Sequence, residues 1–276
     1  MSPSKAGDYN RSIAHCYRYL PVTGGEAVEM VIEGRWDMPD FQRAFVWRPS
    51  QVSDLADSLW RGYPIGNLLI WESTASAHGA AWIADGQQRL TSLCLLFGVQ
   101  PPWWRRREMD RRNLIRHFDV RLDIGAATPP VFQCSFDGEI EDPTGRLISV
   151  AEILAHDPAR EEGRAALREM ALQLKRRGLC RSQTEDQVYE VMHRLCMVRH
   201  LPLCTTHVGS NLQDLLEIFS RLNSRGTRFR RLLLNFAMRS LVSVSRAGAS
   251  TLRVPHARRL DQASGNGSSS HRNSMY

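Results

Sequence analysis

The stretch of this 276-residue chain best equipped for chemistry is Asp85-Gly86-Gln87-Gln88-Arg89, which follows the apolar run Trp82-Ile83-Ala84 and leads into Leu90 to Phe97. The order reads as a short buried strand, a tight Asp-Gly turn, and a helix that opens on two glutamines and an arginine. Asp85 is expected to cap the helix, and Gly86 to permit a positive φ or a close backbone approach. The first N–H groups of a helix have no acceptor within it and, with the helix dipole, suit an anion. Arg89 adds a planar fork of donors that matches phosphate. These residues describe a phosphate site at a strand-to-helix turn. They leave open the alternative of a capped junction whose polar residues face water.

Two further polar groups sit in apolar surroundings. Gln42-Arg43 lies among Phe41, Phe45 and Trp47, behind Pro39. It reads either as a pair held toward a ligand or as an aromatic strand edge with a snorkelling arginine. Arg221 and Asn223 lie at the end of a helix that Asn211 caps and that carries Leu212, Leu215, Leu216, Ile218, Phe219 and Leu222; Gly226 stops it. Other elements must position these groups. Thr23 is expected to cap a helix that Gly34 ends, and Ser50 a helix through Val52, Leu55, Ala56, Leu59 and Trp60 that Gly62 ends. Asn67 to Trp71 has strand length, and Phe118 to Ile124 with Val131 to Phe136 alternates as a hairpin. Ser149 starts a helical region broken near Asp157-Pro158, and Thr184 with Gln187 forms a capping box. Leu201 to Val208 reads as a strand whose Pro202 puts it at a sheet edge or delays its start. Trp103-Trp104-Arg105-Arg106-Arg107 reads as a solvated loop, with base stacking as the alternative.

Hydrophobic content of 42% and charged content of 24% suit a globular fold. No apolar run spans a bilayer and the first 20 residues lack a signal peptide's apolar region, so a cytoplasmic protein without a membrane partner is expected. Six scattered cysteines without a CxxC pair read as reduced thiols, not a zinc site. Residues 218–276 carry eleven arginines against one acid, Asp261, a net of +10, which leaves −3 for the rest of a chain whose total is +7. The basic balance therefore belongs to the C-terminal stretch, and the folded body shows no nucleic-acid signature of its own. Residues 1–22 read as an extended arm and 247–276 as a disordered, Ser-, Gly- and Arg-rich tail.

Three motifs in this order carry a resemblance: Met38-Pro39-Asp40-Phe41-Gln42-Arg43 with Val46-Trp47, then Ile83 to Thr91, then Phe219 to Thr227, with Tyr63-Pro64-Ile65-Gly66 between the first two. Over about residues 23–230 the chain resembles the N-terminal domain of GmrSD-type (type IV) restriction enzymes, a ParB/sulfiredoxin-like group. The resemblance implies an α+β fold with a small mixed sheet flanked by helices. It implies a nucleotide-binding, NTP-hydrolysing sensor domain in a modification-dependent phage-defence system. A non-catalytic nucleotide-switched DNA-binding module and a ParB-like nuclease are the alternatives. Carried over by position, Asp85, Gln87, Gln88 and Arg89 would be catalytic, with Asp85 on Mg2+ or orienting water and Arg89 neutralising phosphate charge. Gln42, Arg43, Gly86, Arg221, Asn223 and Thr227 would complete the nucleotide site. NTP with Mg2+ is the implied cofactor. Nucleotide, DNA, a nuclease domain or subunit and a second copy are the expected partners. Nothing after Thr227 resembles the HNH-type nuclease domain of larger members. The change in composition there reads as a truncation or a translated frame-shift, or as a natural basic tail that holds DNA.

Overall fold

The computed structural model describes residues 17–39, 42, 44–72, 81–106, 118–125, 131–178, 180 and 183–209. The expected helix at Asn211, the tail, Arg43, Arg221, Asn223 and Thr227 lie outside them. The described part is α+β. A five-stranded mixed sheet holds β1 (Tyr17–Thr23), β2 (Trp36–Asp37), β3 (Leu68–Glu72), β4 (Ala81–Asp85) and β8 (Pro202–Gly209) in the order β1-β8-β3-β4-β2. Its β1–β8 and β3–β4 pairs are antiparallel, and its β3–β8 and β2–β4 pairs are parallel. A second, antiparallel sheet joins β5 (Asp119–Asp123), β6 (Val131–Ser135) and β7 (Leu147–Ser149) in the order β6-β5-β7. The helices are α1 (Gly24–Ile32), α2 (Pro49–Arg61), α3 (Gln87–Leu96), α4 (Pro102–Arg106), α5 (Val150–Leu154), α6 (Glu161–Arg176) and α7 (Glu185–Cys196).

Local chemistry sets most of the boundaries. Thr23 accepts from the Glu26 N–H and Glu26 reaches back to the Thr23 N–H, a capping box that starts α1; Thr184 and Gln187 do the same for α7. Gly62, in the left-handed region, ends α2. Ser50 is not the cap of α2. Pro49 takes the first helical position, where its fixed φ and missing N–H cost nothing, and the Gln51 side chain satisfies the Arg48 N–H at 3.0 Å. Pro202 is the first residue of β8, a place where proline is tolerated, and the strand is interior to the sheet, between β1 and β3. The arm read over residues 1–22 ends in β1. Trp103-Trp104 corrects the loop reading. Both lie in α4, and Trp103 is 3% exposed with its indole N–H donating to Thr91 Oγ1 at 3.0 Å.

One hydrophobic core joins the two sheets. Leu68, Ile70 and Ile83 from one face of the large sheet meet Val28, Val31, Leu55, Leu59, Leu90, Leu93 and Met192 from the helices, together with Leu122, Phe132 and Ile148 of the small sheet. The five described cysteines are unpaired, and burial pushes the thiols of Cys94, Cys134 and Cys196 up to about 12, so they stay protonated and inert. Among the described residues no helix is long and apolar enough to cross a membrane.

Candidate functional site

The site grows from the end of β4. Asp85 is its last residue, Gly86 follows with φ 89°, and α3 begins at Gln87. Sequence reasoning gave the cap to Asp85. The structure gives it to Gly86, with no side-chain cap bond. The left-handed glycine turns the chain so sharply that Asp85 falls one residue short of the capping position, and its carboxylate turns toward Arg89. The first bond of the helix runs from the Leu90 N–H to the Gly86 carbonyl at 3.0 Å. The N–H groups of Gln87, Gln88 and Arg89 therefore have no acceptor within the helix.

Arg89 is held firmly. Its Nη1 donates to the Ile65 carbonyl at 2.9 Å, and its Nη2 lies 3.4 Å from Asp85 Oδ2, one turn back along the chain. The arginine side chain is 20% exposed and that of Asp85 49%, so solvent reaches the acid more than the base. Two glycines make room. A Cβ on Gly66, at φ +88°, would stand 2.2 Å from Arg89 Nη1. A Cβ on Gly86 would stand 2.4 Å from a Leu68 methyl and 3.3 Å from Arg89 Nη2. Both positions need glycine twice over, for φ and for space.

The two glutamines differ. Gln88 is buried, and both ends of its amide are engaged: Oε1 accepts from the Val46 N–H at 2.8 Å and Nε2 donates to the Ala44 carbonyl at 3.1 Å. Gln87 is also buried, and among the described residues its Oε1 has no partner. Gln42 donates to the carbonyls of Ala84 at 3.0 Å and Ile83 at 3.3 Å. β2 pairs with β4 only as far as Trp82, so the Gln42 amide takes over the β4 carbonyls where the ladder stops. Two stretches more than 40 residues apart are thus stitched together by Gln42 in one direction and Gln88 in the other. Beside the stitch, Phe45 meets Trp104 and Phe136 edge-on, with ring centroids 5.6 and 6.1 Å apart, and Phe118 stacks on Phe136 at 5.7 Å.

Of the residues expected at a common cleft, the structure brings together Gln42, Asp85, Gly86, Gln87, Gln88 and Arg89. Sequence reasoning missed the Ile65 carbonyl and Gly66 as the third wall, although Tyr63-Pro64-Ile65-Gly66 was legible as a turn. At the other end of the sheet is a cluster that no motif announced. His207 Nδ1 lies 2.7 Å from Glu72 Oε1, and Arg18 binds both Glu72 oxygens at 2.6 and 2.7 Å. Burial opposes it, yet the hydrogen bonds from Arg18 and His207 hold the Glu72 carboxyl below its ordinary range. Among the described residues no three His, Cys, Asp or Glu side chains gather as a metal cage.

The fold and this turn define an α+β domain in which a strand, a left-handed glycine and an uncapped helix start present backbone N–H groups beside a caged arginine. The chain belongs to the family of the GmrSD restriction endonuclease N-terminal domain, whose model matches residues 25–232. Membership implies a component of a restriction system, and so of phage defence. No curated protein matches the chain.

Proposed function

We propose that this domain binds a nucleoside triphosphate through its phosphates at the start of α3 and hydrolyses it, acting as the sensor of a modification-dependent restriction system. The observation that carries the reading is the uncapped helix start behind Gly86, with three N–H groups lacking helical acceptors and the Arg89 guanidinium alongside. An anion there satisfies the N–H groups and the helix dipole together. It also gives Arg89 a charge partner stronger than the carbonyl that holds it now.

The residues fit a magnesium nucleotide. Mg2+ is usually bound through one or two carboxylates with the substrate's phosphates, and a half-exposed Asp85 at the turn suits that habit. When bound, the ion neutralises phosphate charge and orients the transferring group. The protein's own residues do the rest. Arg89 faces charge that develops on phosphate oxygen, held in place by the Ile65 carbonyl before substrate arrives. Gln87, buried and with no partner for its carbonyl oxygen among the described residues, is the group available to orient a water proton or a substrate hydroxyl. Gln42 and Gln88 position the aromatic loop against the turn, and their amides are already engaged in doing so. Arg43, Arg221, Asn223 and Thr227 are proposed to complete the pocket, and a nuclease domain or subunit and DNA are the proposed partners.

The test is phosphate release from each of the four NTPs by the full chain with Mg2+, beside Gln87→Ala and Arg89→Lys. Turnover by the parent with loss in both variants is expected. Binding without turnover would leave a nucleotide-switched module, and absence of both would sink the proposal.

A further inference from the structure

Four aromatic rings form a row beside the turn. Phe118 stacks on Phe136 at 5.7 Å, Phe136 meets Phe45 at 6.1 Å, and Phe45 meets Trp104 at 5.6 Å. Phe45, Phe118 and Phe136 pack against the main core, which gives them a structural task. Trp104 ends the row and differs from them. It is partly exposed. Among the described residues Phe45 is its one ring contact, and its indole N–H has no hydrogen-bond partner. Trp103, next to it in the same short helix, shows what a structural tryptophan does here: it is buried and Thr91 takes its N–H. A rigid indole left partly in water suits a flat partner that can lie against it.

Two attachments fix Trp104 against the start of α3. Trp103 donates to Thr91 Oγ1, and Thr91 lies one helical turn beyond Gln87 on the same side of α3. From the other direction, Phe45 is flanked by Ala44 and Val46, and both of these are bonded to the Gln88 amide. The ring is thus held beside the first two turns of the helix whose uncapped N–H groups stand with Arg89.

We propose that Trp104, backed by Phe45, is the stacking platform for the base of a nucleoside triphosphate whose phosphates lie at the start of α3. The inference rests on the phosphate reading of that turn and adds the nucleoside end of the ligand to it. Every base has a π-face, so such a platform raises affinity for all four nucleotides and chooses little among them. Phe45 and the rings behind it are packed on the core, so the platform stands ready before the ligand arrives and little order has to be created on binding.

The test is calorimetric titration of the full chain, with Mg2+, by ATP, by UTP and by inorganic tripolyphosphate, which has no base. Trp104→Ala should weaken ATP and UTP about ten- to a hundred-fold and leave tripolyphosphate binding unchanged. Trp104→Leu keeps apolar bulk against Phe45 but has no π-face, and should show most of that loss. Trp104→Phe should keep most of the parent's affinity. Thermal melts separate the two tryptophans: Trp103→Phe, which loses the bond to Thr91, should melt several degrees below the parent, and Trp104→Phe should melt like it. Trp104→Leu binding the nucleotides as the parent does, or losing nucleotide and tripolyphosphate alike, would overturn the platform and leave the phosphate reading standing. A parent that binds neither nucleotide nor tripolyphosphate would overturn both.

Discussion

Replacing Gln88 by alanine separates a positioning role from a ligand-binding one. The parent amide makes two hydrogen bonds, to the Val46 N–H at 2.8 Å and the Ala44 carbonyl at 3.1 Å, from a side chain that is 6% exposed. Truncation leaves a backbone donor and a backbone acceptor unpaired. Each would cost about 1–3 kcal/mol if fully buried. Val46 is 46% exposed, so water replaces its partner, and the loss falls to about 1.5–3 kcal/mol in all. In a domain of this size each kcal/mol lowers the melting temperature by about 2–4 °C, so a fall of roughly 3–12 °C is expected. Gln88→Glu keeps an acceptor for Val46 but sets a buried carboxylate oxygen against the Ala44 carbonyl, so at neutral pH it should be no more stable than alanine. Thermal melts with and without NTP and Mg2+ read stability and binding on one sample. If Gln88→Ala melts like the parent while the nucleotide response disappears, Gln88 touches ligand and the positioning argument is wrong.

Arg89→Ala should lose stability without ligand, by about 1–2 kcal/mol, because the Ile65 carbonyl is left without its donor; nucleotide affinity should also fall about ten- to a hundred-fold, as a calorimetric titration would show. Gly66→Ala forces a positive φ on alanine and drives a methyl into the Arg89 guanidinium, so denaturant melts should show a loss of about 1–3 kcal/mol. Glu72 has its carboxyl held below the ordinary value near 4.5, so its contribution to stability is present above that value and is lost as pH falls through the lower folded value. Glu72→Gln should accordingly be less stable than the parent at pH 7, and the gap should close on acidification, as urea melts across the range would show.

Most features that depend on neighbours in sequence were legible there, the caps of α2 and α3 excepted. Thr23 and Thr184 cap their helices through residues three positions on, and Gly62 ends its helix by its own φ. The expected hairpin is the β5–β6 pair. Reading failed where the deciding partner is remote. Trp103 looked like a solvated loop residue because Thr91, which receives its N–H, is twelve positions back. Pro202 left open an edge strand or a late start; the strand does start late, at Pro202, and nothing local shows that β1 and β3 flank it. At the site, residue types announced Asp85 to Arg89 and Gln42. What Gln42 and Gln88 bind, however, is backbone, which has no signature in sequence. Arg89 looked like a fork of donors for phosphate. Its partners are the Ile65 carbonyl and the Asp85 carboxylate, and the sequence marks the first of them only by the glycine that follows.

The central claim is that phosphate sits on the start of α3, and backbone amide NMR tests it most directly. Titration of the full, isotope-labelled chain with NTP and Mg2+ should shift the Gln87, Gln88 and Arg89 amide resonances most, and the matching nucleoside without phosphates should leave them in place. Nucleotide that binds or turns over while those three amides stay still would contradict the account.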